Sequence, residues 1–345
     1  MIKRMSEMFK FLMVKKIILI TVLMLLCMST YAGALTIKLA TLAPENSPWY
    51  EVIRGMADDW KKTTNGEVVV RIYAGGVVGD ETDVVRKIGI GTLDAGSITA
   101  VGMSDICTEV QAMQMPMMIQ SYDELDYILS KVRSKLEDSL DKKGYKVLNW
   151  GDVGWVKFFS QKKVIYSDDM KDQTMFVWGG DTGVLDAWKE AGFKVMPLAI
   201  TDMLTSLQTK KINAFSTSPI AAASFQWFAL APNMTDIKWA ALIGGTVISK
   251  RAWNKIPEKY KPELEKIAQK RGEDMKVKIR ALESEAVKIM VKNGLKVHAI
   301  PDAAVKDWTE KAKGAYPKIL ITPELKAMFE EVNKYHLEYL SLKKK

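Results

Sequence analysis

Catalysis by a soluble protein needs a nucleophile beside a base, a metal cage or a cradle for a cofactor, and the residues of those types are sparse here. The two histidines, His298 and His336, lie far apart with no ligand spacing around them, so neither a zinc site nor a histidine base is indicated. The two cysteines, Cys27 and Cys107, form no CxxC. Gly75-Gly76-Val77-Val78-Gly79-Asp80 lacks the Gly-Lys-Ser/Thr of a phosphate loop, and Gly89, Gly91 and Gly96 miss the dinucleotide spacing. Neither Gly-x-Ser-x-Gly nor His-Glu-x-x-His occurs. Asp58-Asp59 and Asp168-Asp169 are adjacent pairs, and neighbours on a helix point apart, so they read as exposed positions or caps. The balance falls on binding: no enzyme, no cofactor and no metal are expected.

The first 34 residues carry the ordered parts of an export signal. Lys3, Arg4, Lys10, Lys15 and Lys16 form a basic head, Ile17 to Met28 an apolar core, and Ala32-Gly33-Ala34 a small-x-small cleavage site. The apolar run is shorter than the roughly 20 residues a spanning helix needs, which argues against an uncleaved anchor. Leu25-Leu26 before Cys27 speak against lipid attachment there, since a lipoprotein signal wants a small residue just before its cysteine. A periplasmic protein beginning near Leu35 is expected. Losing five basic residues and Glu7 lowers the formal charge from +9 to +5, which needs no nucleic acid to explain it. Cys107 would remain without a partner, so the core alone must hold the fold.

About 310 residues suit two lobes better than one core. Leu35-Thr36-Ile37-Lys38-Leu39 alternates as a strand, Ser47-Pro48 supply a cap and first turn, and Trp49, Val52, Ile53, Met56 and Trp60 recur at helical spacing. Val68, Val70 and Ile72 restore a strand. Helical spacing returns at Val84, Val85 and Ile88, a short strand at Leu93 to Ile98, a long helix from Tyr122 to Leu140, and a strand over Tyr145 to Trp150. Near Lys157 to Tyr166 the rhythm restarts, with an apolar stretch at Met175 to Trp178, a strand at Phe193 to Met196 and a helix capped by Thr201. Such alternation is the mark of α/β lobes.

Between Pro257 and Gly294, the residues Leu264, Ile267, Met275, Ile279, Leu282, Ile289 and Met290 keep helical period over an unusual length. One helix bracing both lobes is expected. Two helices broken at Gly272 are the alternative, because glycine inside a helix costs about 1 kcal/mol. Pro301 and Pro317 punctuate the chain beyond Gly294, and Pro323 starts a last helix.

The segment Arg71-Ile72-Tyr73-Ala74-Gly75-Gly76-Val77-Val78-Gly79-Asp80, with Val84-Val85-Arg86-Lys87-Ile88 and Gly91-Thr92-Leu93-Asp94-Ala95-Gly96, resembles the substrate-binding proteins of tripartite ATP-independent periplasmic (TRAP) transporters, the DctP family. Met115-Pro116, Ser121-Tyr122-Asp123-Glu124, Asp169-Met170-Lys171, Leu207-Gln208-Thr209, Ile212-Asn213-Ala214, Ala252-Trp253 and Lys292-Asn293-Gly294-Leu295 extend it over nearly the whole mature chain. The resemblance implies a two-lobed α/β periplasmic binding protein fold with an interlobe cleft, hinge strands and a long helix spanning both lobes. With it, residues 1–34 read as the signal peptide, 35–156 plus about 246–285 as lobe I, and 157–245 plus about 286–345 as lobe II. It also implies delivery of a small-molecule ligand to TRAP membrane permease subunits.

In most relatives, by the same resemblance, an arginine grips a ligand carboxylate. Phe176 stands in its place here, and Val156 replaces a second arginine. A guanidinium fork gives charge-assisted hydrogen bonds worth about 1.5 to 3 kcal/mol each, and Phe or Val gives none. The family's polar segment becomes Asn213-Ala214-Phe215-Ser216-Thr217-Ser218-Pro219, and Trp155, Trp178, Phe225, Trp227 and Phe228 add aromatic surface.

Phe176, Val156, Trp178, Phe215, Thr217 and Trp155 are therefore the expected ligand residues, and an apolar, lipid-like ligand the expected cargo. A tetratricopeptide-repeat periplasmic lipoprotein, found with some divergent relatives, is a further expected partner. An organic acid held by another cation such as Lys157, or a sensory role without transport, is the competing reading. About half of the aromatic set is expected to be packing only.

Overall fold

The structure is a computed structural model describing residues 13–16, 33–179 and 182–343, with Thr182 described by its backbone alone. The expected export signal, Cys27 included, lies almost wholly outside these residues; among them, 13–16 form a turn of helix. Residues 36–345 make one compact unit.

The elements follow the sequence periodicity closely. Strand β1 (Leu35–Thr41), helix α1 (Pro48–Thr63), β2 (Val68–Tyr73), α2 (Glu81–Ile90), β3 (Ala95–Thr99) and α3 (Tyr122–Lys142) come first. Next are β4 (Tyr145–Ser160), β5 (Thr174–Trp178), α4 (Thr182–Glu190), β6 (Lys194–Leu198), α5 (Met203–Gln208), β7 (Ala214–Thr217) and α6 (Pro219–Ser224). The chain ends with β8 (Asn233–Ser249), α7 (Lys261–Lys292), β9 (Lys296–His298), α8 (Asp302–Ile319) and α9 (Pro323–Lys343). Ser47 caps α1 by accepting the Tyr50 N–H at 3.3 Å, with Pro48 in the first turn, and Ser121 caps α3 from the Glu124 N–H at 3.2 Å. Thr201 does not cap α5. It lies in a short 3-10 turn, Ile200–Asp202, and α5 begins without a side-chain cap. Pro317 sits in the last turn of α8.

The nine strands of the described residues share one sheet, ordered β2-β1-β3-β8-β4-β7-β5-β6, with β9 beside β8. Tyr145–Trp150 and the stretch from Lys157 are one strand, β4, paired antiparallel along its length with β8. The beginning of β4 pairs the end of β8, next to β3; its end pairs β7 and the start of β8. The two strands thus carry the chain from one half of the sheet to the other. Their register shifts between Val147 and Asn149, Asp152 and Gly154, and Val156 and Phe158. Such bulges bend a strand pair, and these lie where the halves join.

Each half has its own packing. In the first, Ile128, Val132, Leu136 and Leu140 of α3 meet Leu325, Met328 and Val332 of α9. Helix α9, expected with lobe II, therefore packs on the first half, because its apolar stripe is buried together with that of α3. In the second half, consecutive residues of β4 serve opposite faces, as the period of a strand requires. Phe159 stacks on Phe215 at 5.0 Å on one side, and Phe158 stacks on Trp308 at 4.8 Å on the other, with Trp188 and Trp239 around it. Helix α7 is continuous through Gly272. Its start lies against α1, where Leu264 accepts the Trp60 indole N–H at 3.0 Å, and its end adds Met290 to the Phe159 cluster. It spans both halves.

Candidate functional site

A cavity of about 340 Å³ opens between the halves of the sheet. The first half contributes Val101, Ser104, Asp105, Thr108, Gln111 and Gln114, from the helical turns that follow β3. The second half contributes Val156 of β4, Phe176 and Trp178 of β5, and Ser216 and Thr217 of β7. A smaller chamber of about 100 Å³ adjoins it, lined by Thr41, Trp49, Glu81, Thr99, Asn149, Phe225 and Trp227. Trp178, Ile200, Thr217 and Leu242 line both, so the two chambers share a wall.

Four of the six expected site residues come together there: Val156, Phe176, Trp178 and Thr217. Phe215 does not. It shares a face of β7 with Thr217, but two residues along the strand bring it under the rings of Phe159 and Trp227, where it is fully buried. Trp155 does not either. It precedes Val156 and points to the other face, against the Tyr122 ring at 5.1 Å with the Lys238 ammonium above it. Of the wider aromatic set, Phe225 and Trp227 stack on each other at 4.5 Å and line the smaller chamber. Phe228 packs against the second-half core.

Lys157 is also displaced from the role considered for it. Lys157 pairs with Thr217 across β4 and β7 but lines neither chamber, and its Nζ lies 2.5 Å from Asp236 Oδ1. Among the residues lining either chamber, Lys311 is the cation. It stands one turn beyond Trp308, on the face of the sheet opposite Phe176, with Asp168 at 3.5 Å.

The first-half wall is instead acidic. Glu81 is fully buried, which pushes its carboxyl up to about 7 against three donors that favour the ionised form. Those donors are the Thr99 N–H at 2.8 Å, the Thr99 hydroxyl at 2.7 Å and the Gly102 N–H at 3.0 Å. Burial likewise raises Asp105, with a Thr82 hydrogen bond opposing and the Asp80 charge adding to it. The site therefore combines an aromatic wall, a hydroxyl and amide wall, and two carboxyls, of which Glu81 is buried and Asp105 exposed. Sequence reasoning did not reach the first-half residues. Ser104, Thr108 and Gln111 are ordinary polar residues in short helical turns, with no motif to single them out.

No group of His, Cys, Asp and Glu among the described residues is arranged to hold a metal ion. No described helix is long and apolar enough to cross a membrane.

Comparison with known proteins gives consistent results. Residues 39–322 match the family described as bacterial extracellular solute-binding protein, family 7, DctP. A solute-binding protein of Sulfitobacter sp. (strain NAS-14.1) is 23% identical over 269 residues, 76% of this chain and 78% of its own. A TRAP periplasmic solute-binding protein from Xanthobacter autotrophicus Py2, solved with bound β-D-galacturonate, superposes with a TM-score of 0.80 at 19% identity, covering 86% of this chain and 99% of that one. One from Sulfurospirillum deleyianum DSM 6946, solved with bound succinate, gives 0.80 at 18% identity, covering 87% and 98%.

Proposed function

The chain belongs to the bacterial extracellular solute-binding proteins of family 7, the DctP family, and on that premise we propose how its cavity is used. It acts as the periplasmic receptor of a TRAP-type transporter, binding a small molecule between the two halves and handing it to membrane permease subunits. Its work is capture, not catalysis. The observation that carries this is the cavity itself, walled from both of the halves that β4 and β8 join, so that movement about those strands opens and closes it.

The ligand class follows from two considerations. Galacturonate and succinate, bound by the solved relatives, are organic acids, and this favours an acid here as well. The wall of Phe176, Val156 and Trp178 asks in addition for an apolar body, because burying polar hydroxyls against it without partners is costly. We therefore read the ligand as an organic acid with an apolar portion, its carboxylate facing the Gln114 amide, away from Asp105 and Glu81. A wholly apolar, lipid-like ligand is the second reading, favoured by Phe176 and Val156 where the resemblance implies arginines. A tetratricopeptide-repeat partner would accompany that second reading only.

Solvent extraction of the protein purified from its own periplasm, followed by mass spectrometry, separates these. An acid with an aromatic or aliphatic body is the expected product. A neutral lipid would replace the first reading with the second, and a sugar acid alone would remove the apolar requirement. Titration calorimetry with succinate, galacturonate and benzoate adds an independent ranking, in which benzoate should bind best.

A further inference from the structure

Away from β4 and β8, the two halves meet at the ends of α4 and α8, where the Tyr316 hydroxyl donates to the Pro116 carbonyl at 2.7 Å, and at Asp80. This residue ends the glycine-rich turn of the first half and caps α2, its Oδ1 accepting the Glu81 N–H at 2.7 Å. Its second oxygen has a different task. Oδ2 accepts the Trp178 indole N–H at 2.8 Å and the Ile200 backbone N–H at 3.1 Å, both from the second half. Asp80 is only 7% exposed, so these charge-assisted bonds are shielded from water and salt. The apposition is close beside it as well: a Cβ added to Gly76 would stand 3.0 Å from the Thr201 methyl.

Trp178 faces two ways. Its ring lines both chambers, while its N–H is spent on the carboxylate across the cleft. We propose that Asp80 and Trp178 form a latch that holds the cleft shut, and that Trp178, as the residue shared by latch and cavity, couples ligand contact to closure. The coupling clause rests on reading the cavity as the ligand site; the latch does not. When the halves part, Asp80 keeps its capping bond and loses the two cross-cleft donors to water. A ligand packed against the indole holds the ring in the position from which it can donate, so occupancy and closure favour each other.

The test uses two variants of the exported protein. Trp178→Phe keeps the ring and removes the donor. Asp80→Asn keeps a good helix cap and removes the charge. Small-angle X-ray scattering reports the fraction of open molecules without any ligand, and hydrogen exchange at the Trp178 indole reports the bond directly.

The latch predicts a protected indole N–H in the wild type and a closed-to-open ratio lowered roughly tenfold or more in Trp178→Phe, with a smaller drop in Asp80→Asn. An unprotected indole, or scattering unchanged in both folded variants, would overturn it. If the variants open but extraction yields no bound molecule, the latch stands and the ligand reading fails.

Discussion

Gly272 of α7 rests directly on Asn149 of β4: a Cβ added to the glycine would lie 2.7 Å from the Asn149 Cβ and 2.6 Å from the Trp150 carbonyl oxygen. The Asn149 amide completes the contact by donating to the Ala268 carbonyl at 3.0 Å, one turn earlier on the helix, while its Oδ1 accepts the Thr246 N–H at 3.2 Å. The long helix is thereby seated on both crossing strands at the point where the glycine lets it approach.

Gly272→Ala should therefore destabilise the protein, although alanine is the better helix former by about 1 kcal/mol. Overpacking against backbone costs about 1 to 3 kcal/mol, so a net loss of about 1 kcal/mol is expected from urea denaturation. A gain in stability would show that the helix is not held this close.

Arg280, two turns further along, binds Asp126 through both terminal nitrogens at 2.7 Å and Asp152 through Nε at 2.6 Å. Asp152 is buried in β4 beside the bend, and the Tyr122 ring lies under the guanidinium at 4.3 Å. Arg280→Met leaves that carboxylate buried without its partner and should cost about 3 kcal/mol. Arg271→Met, which breaks the more exposed pair with Asp59, should cost less than about 1 kcal/mol in the same denaturation series. Equal losses would contradict the distinction.

Glu81 should make stability fall with rising pH. Its carboxyl titrates near 4.5 when free and near 7 when buried, so the folded state holds the proton more tightly. That contribution is complete below about pH 4.5 and is lost as the pH rises through about 7. The loss is on the order of 3 kcal/mol, a figure that already includes the opposing donors from Thr99 and Gly102. Glu81→Gln should flatten the slope between about pH 5 and 7.5 in thermal melts; an unaltered slope would assign it to other groups.

Much of the fold was legible because strands and helices announce themselves by local period. Ser47 caps the helix expected of it, and the stripe from Leu264 to Met290 is one helix. The glycine that threatened that helix could not be judged from its propensity, since its reason is a neighbour more than a hundred residues away. Tyr145–Trp150 and Lys157 onward looked like separate elements for a related cause: a bulged strand loses strict alternation where it bends.

The site divides in the same way. Sequence by itself determined the α/β rhythm, the family resemblance and the apolar identity of residues 156 and 176, all of which are properties of chain order. Tertiary structure alone decided which aromatic rings face the cavity. Phe176, Trp178 and Thr217 line it while Phe215, on the same face as Thr217, is sealed beneath Phe159. It alone set Asp80 against Trp178, and it alone spent Lys157 on Asp236. The physical reason is that period fixes the face a side chain takes, whereas burial and partnership depend on what the rest of the chain brings to that face.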